Sequence, residues 1–66
     1  MHVDSEAVSD IDYIPGARRL RVRFTSGERY AYEDVPPELY ERFVTAESKG
    51  RFFQAEVRDR FAYRRL

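Results

Sequence analysis

The chain has 66 residues, twelve basic and twelve acidic side chains, no net charge and no cysteine. A chain of this length makes one small domain that buries only about 60% of its unfolded surface. Without cysteine there are no disulfide staples and no thiolate metal sites, so apolar packing must hold the fold, and five Phe and five Tyr supply most of it.

No stretch approaches the roughly 20 apolar residues of a membrane span, and no signal-peptide core is present. The expectation is a soluble, cytoplasmic domain without membrane contact. Charge is uneven along the chain. Asp4, Glu6, Asp10 and Asp12 make the first quarter acidic. Lys49, Arg51, Arg58, Arg60, Arg64 and Arg65 face only Glu56 and Asp59 in the last third, which is therefore basic.

Residues 1–7, including the single His2, show no periodicity and are expected as a flexible N-terminal tail. Residues 8–66 are expected as a single domain. "SDIDYI" alternates, with Ser9, Ile11 and Tyr13 on one face and Asp10 and Asp12 on the other. "PGAR" reads as a turn, Pro15 pre-setting its φ and Gly16 accepting a positive one. "RLRVRF" alternates next, then "TSGE" places Gly27 where a hairpin loop needs a left-handed residue. "RYAYED" alternates again, with Tyr30 and Tyr32 on one side. Three such runs joined by short turns predict an antiparallel meander.

The period changes after Asp34, which stands as a helix cap before Pro36 and Pro37. Leu39, Tyr40, Phe43 and Val44 fall on one helical face. A second helix is predicted over "SKGRFFQAEVRDR", capped by Ser48 and burying Phe52, Phe53 and Val57. The closing "FAYRRL" is expected to pack through Phe61, Tyr63 and Leu66. The fold class is α+β: a three-stranded antiparallel β-meander followed by two short α-helices packed on one face.

A one-residue slip would turn every strand side chain over, so the apolar face fixes which face each residue takes. Opposing Tyr13 to Leu20, Ile11 to Val22 and Ser9 to Phe24 sets Asp12 against Arg21 and Asp10 against Arg23. Opposing Val22 to Tyr32 and Phe24 to Tyr30 sets Glu33 against Arg21. The strand arginines are then expected to be answered within an ion-pair ladder, leaving Arg18 and Arg19 without partners.

The order S-x-I at Ser9–Ile11, L-x-V-x-F-x-S-G at Leu20–Gly27, Y-x-Y at Tyr30–Tyr32, V-P at Val35–Pro36 and S-K-G-R-F-F at Ser48–Phe53, with arginine ahead of Tyr63, resembles the KTSC domain. That family is named for the C-terminus of some lysyl-tRNA synthetases and also occurs as short stand-alone bacterial proteins. The resemblance spans about residues 8–66. It implies association with RNA through the company of a tRNA enzyme, and it marks Tyr30 and Tyr32 as the family motif. Gln54 stands where the resemblance implies Asn.

Two readings of Tyr30 and Tyr32 are open, rings that stack on unpaired bases or core packing with hydroxyls at the rim. Their place beside Leu20, Val22 and Phe24 favours the core. Ser48, Lys49, Gly50 and Arg51 sit at a helix N-terminus, where cations are unfavourable without an anion, so they form a candidate phosphate cradle. Close packing at Gly50 with solvated charges is the alternative. Arg51, Gln54 and Arg58 share one helical face, and Arg64 and Arg65 extend it as a candidate RNA-binding surface.

No Cys, no placed His and no serine beside a base points to catalysis, and no cofactor motif is present. The expected function is that of a non-enzymatic module binding RNA, as tRNA or as a single strand, through the second helix and C-terminus. The alternative is a protein-interaction or accessory domain.

Overall fold

The computed structural model describes residues 7–66. The expected tail, His2 included, lies outside the described residues except for Ala7. Ala7 packs against the core, and its carbonyl accepts the Thr25 N–H at 2.9 Å.

Four strands form one antiparallel sheet in the order β1-β2-β3-β4: β1 is Val8–Ile14, β2 Arg19–Phe24, β3 Arg29–Tyr32 and β4 Tyr63–Arg65. Between β3 and β4 run α1, Pro37–Thr45, and α2, Lys49–Phe52, which continues as a π-helical turn over Phe53–Val57. The architecture is α+β with the helices on one face, but the sheet has four strands rather than three. The fourth comes from the C-terminal segment. It was expected to bury Tyr63 and Leu66, yet these are 59% and 51% exposed. Its backbone pairs with β3 instead, Tyr30 to Arg65, Ala31 to Arg64 and Tyr32 to Tyr63, and of the three expected side chains only Phe61 packs on the core.

The first hairpin has the predicted pairs Ile11 to Val22, Asp12 to Arg21, Tyr13 to Leu20 and Asp10 to Arg23. Phe24, however, faces Val8 rather than Ser9. A β-bulge at Ser9 adds one residue, which returns an apolar side chain to the core face: Val8 is fully buried, while the Ser9 hydroxyl donates to the Arg23 carbonyl at 3.3 Å. The turn between β1 and β2 is a 3₁₀ turn over Pro15–Ala17 closed by Arg18 N–H to Pro15 C=O. Its positive φ, 50°, belongs to Arg18 and not to Gly16, whereas Gly27 takes the left-handed conformation expected of it, at 95°.

The second hairpin is displaced by two residues from the expected register, pairing Leu20 with Tyr32, Val22 with Tyr30 and Arg23 with Arg29. A two-residue shift keeps every side chain on its own face, so the apolar pattern cannot distinguish the two registers. Its consequence is electrostatic and is taken up below.

The cap of α1 is Pro36, not Asp34. Asp34 instead turns the chain with a φ of 57° and reaches Arg18 at 3.3 Å. Leu39 and Phe43 are buried beneath α1, Tyr40 stacks on Tyr13 with ring centres 5.0 Å apart, and the Tyr13 hydroxyl donates to the Val35 carbonyl at 2.6 Å. Ser48 caps α2 as predicted, its Oγ accepting the Arg51 N–H at 3.2 Å. Phe53 and Val57 are buried, and Phe52 stacks on Phe43 at 5.1 Å. The core is one layer between the sheet and the helices. Its fully buried side chains are Val8, Leu20, Val22, Val35, Phe43 and Val57.

Candidate functional site

Each strand turns alternate residues away from the helices, and the register decides what meets on that open face. It carries Arg19, Arg21 and Arg23 from β2, Arg29 and Glu33 on and just after β3, Arg64 from β4, and Asp10 and Asp12 from β1. Ala31, between Arg21 and Arg64, is the small residue at its centre and is fully buried.

The ladder is only partly the expected one. Arg21 meets Asp12 as predicted. Glu33, expected against Arg21, instead takes Arg19 at 2.9 Å and lies 4.0 Å from Arg64, a direct result of the two-residue displacement. Arg18 and Arg19 therefore have partners after all. The same displacement sets Arg23 directly across from Arg29, and neither forms an ion pair within 4.0 Å among the described residues. Like charges directly opposite across strands are destabilising. Both arginines line a shallow groove of about 270 Å³ with Asp10, Asp12, Arg21 and Leu66.

The Arg21 hydrogen bond holds the Asp12 carboxyl below its ordinary value, with burial opposing and the guanidinium charge adding to the effect. A carboxylate with a depressed pKa in the fold stabilises it above its unfolded pKa and loses that contribution as pH falls through the folded value. We expect acid denaturation curves of the wild type and Asp12→Asn to converge below about pH 4. Above it the wild type is the more stable, by a small margin because both side chains are about half exposed. A separation that does not change down to the lowest pH would show that the Asp12 charge contributes nothing.

On the helix side, Phe24, Tyr30, Tyr32, Phe53 and Tyr63 wall a cleft of about 560 Å³ with Arg58 and Asp59 at its rim. Their rings meet edge to face or tilted, at centre distances of 5.1 to 5.6 Å. Tyr30 and Tyr32 are on the core side as expected. Tyr32 is 4% exposed, while Tyr30 is half-buried and donates its hydroxyl to Glu28 at 3.2 Å. Burial, with the neighbouring Tyr63 and Tyr30, pushes the Tyr32 hydroxyl up to about 12, and burial with the Glu28 contact raises Tyr30 as well.

The residues expected to form a phosphate cradle are engaged elsewhere. The Ser48 hydroxyl already occupies the Arg51 N–H. Lys49 turns back, its Nζ donating to the Ala46 carbonyl at 2.6 Å, where it caps the C-terminal end of α1 and suits that helix's negative pole. Gly50 is half-buried; Arg51 and Gln54 are exposed. Arg58 leaves their face because the π-helical turn, closed by Arg58 N–H to Phe53 C=O at 2.9 Å, adds a residue to the turn and sets Arg58 among the residues that line the cleft. Arg64 and Arg65 cannot act on one surface, being neighbours on a strand. Arg64 is on the open face, and Arg65 is beside Glu28 at 3.6 Å on the helix side. Among the described residues no three His, Cys, Asp or Glu cluster as metal ligands, and no helix is long and apolar enough to cross a membrane.

Residues 4–61 match the model of the KTSC domain. The chain belongs to the KTSC family. This KTSC domain is similar along its length to a protein of Tsukamurella paurometabola, 42% identical over 59 residues that cover 89% of this chain and 88% of the relative. It is also similar to a lysine–tRNA ligase of Nostoc punctiforme, 29% identical over 63 residues; the match spans 96% of this chain but only 11% of the ligase. The crystal structure of a KTSC domain protein from Yersinia pestis superposes with a TM-score of 0.96 at 33% identity, covering all of this chain and 93% of that one.

Proposed function

We propose that this KTSC domain is a non-enzymatic RNA-binding module that holds the phosphates of a single strand on the open face of its sheet. The observation that carries the reading is the Arg23–Arg29 pair, two arginines directly opposite in register across β2 and β3, neither with a carboxylate within 4.0 Å among the described residues although Asp10 lies across β1 from Arg23. A phosphate between them would turn a cross-strand repulsion into two charge-assisted contacts, and the forked guanidinium suits phosphate oxygens. Similarity to a segment of a lysine–tRNA ligase gives the reading its biochemical setting.

A protein partner docking along a sheet edge has less support. The β1 edge carries Asp10, Asp12 and the bulge at Ser9, features that discourage strand addition, and β4 offers only three residues.

The test is a salt titration of binding to a labelled single-stranded RNA. Two phosphate contacts predict that log K falls with log salt at a slope of about −1.4 or steeper. Affinity that ignores salt, or no binding at 50 mM salt, refutes the reading.

A further inference from the structure

The geometry points to the aromatic cleft on the helix side as a nucleobase-binding site, with the Tyr32 hydroxyl and the Asp59 carboxylate reading the edge of a base that stacks on Tyr63. The inference deepens the RNA reading and rests on it for the source of the base.

Three observations carry it. First, Tyr32 is 96% buried, yet its hydroxyl makes no hydrogen bond among the described residues. Among the described residues no fully buried side-chain polar atom lacks a partner, so this hydroxyl reaches solvent in the cleft that Tyr32 lines. Buried polar groups are nearly always hydrogen-bonded, and one that faces a cleft is a place for a ligand group. With its pKa near 12 it stays protonated and can both donate and accept.

Second, the walls are rings. Tyr63 is 59% exposed on the edge strand, its ring 5.6 Å from Tyr30 and 5.4 Å from Tyr32, so one large aromatic face is offered to a planar ligand. At about 560 Å³ the cleft falls within the range of small-molecule sites, about 300–1,000 Å³. Third, the rim is polar at the right places for a nucleotide. Asp59 can accept from a ring N–H or exocyclic amine, and Arg58, brought here by the π-helical turn, can take a phosphate or stack. A purely aliphatic ligand would leave Tyr32, Asp59 and Arg58 unanswered.

The test uses the full chain, a ten-nucleotide single-stranded RNA, the same strand with abasic positions, and the four free nucleoside monophosphates with ribose 5-phosphate as control. Binding is read by anisotropy for the strands and by NMR for the nucleotides. Tyr63→Ala, at an exposed position, is expected to weaken binding of the intact strand about 5- to 150-fold, the range of one lost stacking contact. It should leave binding of the abasic strand unchanged. Tyr32→Phe is expected to flatten the preference among the four nucleotides at nearly constant affinity. If wild type and Tyr63→Ala bind intact and abasic strands equally, the cleft is not a base site, although the open-face reading stands. If no strand binds but free nucleotides shift the Tyr32 and Tyr63 resonances and ribose 5-phosphate does not, the base site stands and the RNA reading falls. If neither strands nor nucleotides act there, the inference is wrong.

Discussion

Phe43→Ala brings this domain close to unfolding. The side chain is fully buried on α1, stacks on Phe52 at 5.1 Å and lies 6.5 Å from Phe53, so it joins α1 to α2 and to the π-helical turn. Truncating a buried Phe costs about 3–5 kcal/mol. A domain of this size has about 3–10 kcal/mol in total. At about 4–8 °C per kcal/mol, the thermal midpoint falls by about 12–40 °C, and at the upper end no folded baseline survives at room temperature. Circular dichroism melts of wild type, Phe43→Leu and Phe43→Ala decide it. The Leu variant keeps most of the volume and is expected to lose far less. A loss below about 1 kcal/mol for the Ala variant would mean that this ring does not hold the helices together.

That sensitivity follows from how the core is built. Its residues were legible in sequence because a period of two and a period of 3.6 each leave one apolar face. Leu20, Val22, Leu39, Phe43, Phe53 and Val57 were all placed inward by those periods, and all are buried. What was not legible has no side-chain signature. The bulge at Ser9 depends on which of two neighbours, Val8 or Ser9, is better buried, and simple alternation selects the wrong one. The two-residue displacement of β2 against β3 leaves the faces unchanged and is set by the turn over Thr25–Glu28, where the Phe24 N–H finds the Glu28 carbonyl at 2.8 Å. Strand β4 is three exposed residues, and its backbone pairs, the Tyr63 ring contacts and the Arg64 and Arg65 ion pairs all reach distant segments, so a run this short shows no period of its own.

The candidate site was harder to read than the fold, for the same reasons. Ser48 and Lys49 look like a cradle in sequence because their backbone and carbonyl partners are invisible there. Arg58 shares the face of Arg51 and Gln54 only in an unbroken α-helix, and the π-helical turn moves it to the cleft. Sequence alone answers Arg21 and Arg23 within the sheet, on a register that sets Glu33 against Arg21. Moving that one carboxylate to Arg19 leaves Arg23 and Arg29 facing each other. Electrostatics on a sheet depends on register at the level of single residues, whereas burial depends only on parity.

The Arg23–Arg29 pair therefore gives the sharpest test of function. Replacing both with Gln keeps a polar, hydrogen-bonding side chain but removes the two charges. Losing two phosphate contacts makes the salt slope on single-stranded RNA shallower by about 1.4. Referred to 1 M salt, where the electrostatic contribution vanishes, that difference amounts at 50 mM to a loss of about 60-fold in affinity. Stability should move the other way, because a like-charge pair directly across two strands is relieved, a gain of about 0.2–1 kcal/mol. Weaker RNA binding by a more stable protein is a signature that misfolding cannot produce. If the double variant binds as the wild type does, the open face is not the phosphate surface. If it binds less but also melts lower, the two arginines hold the sheet together, and the assignment of a functional role to their repulsion is wrong.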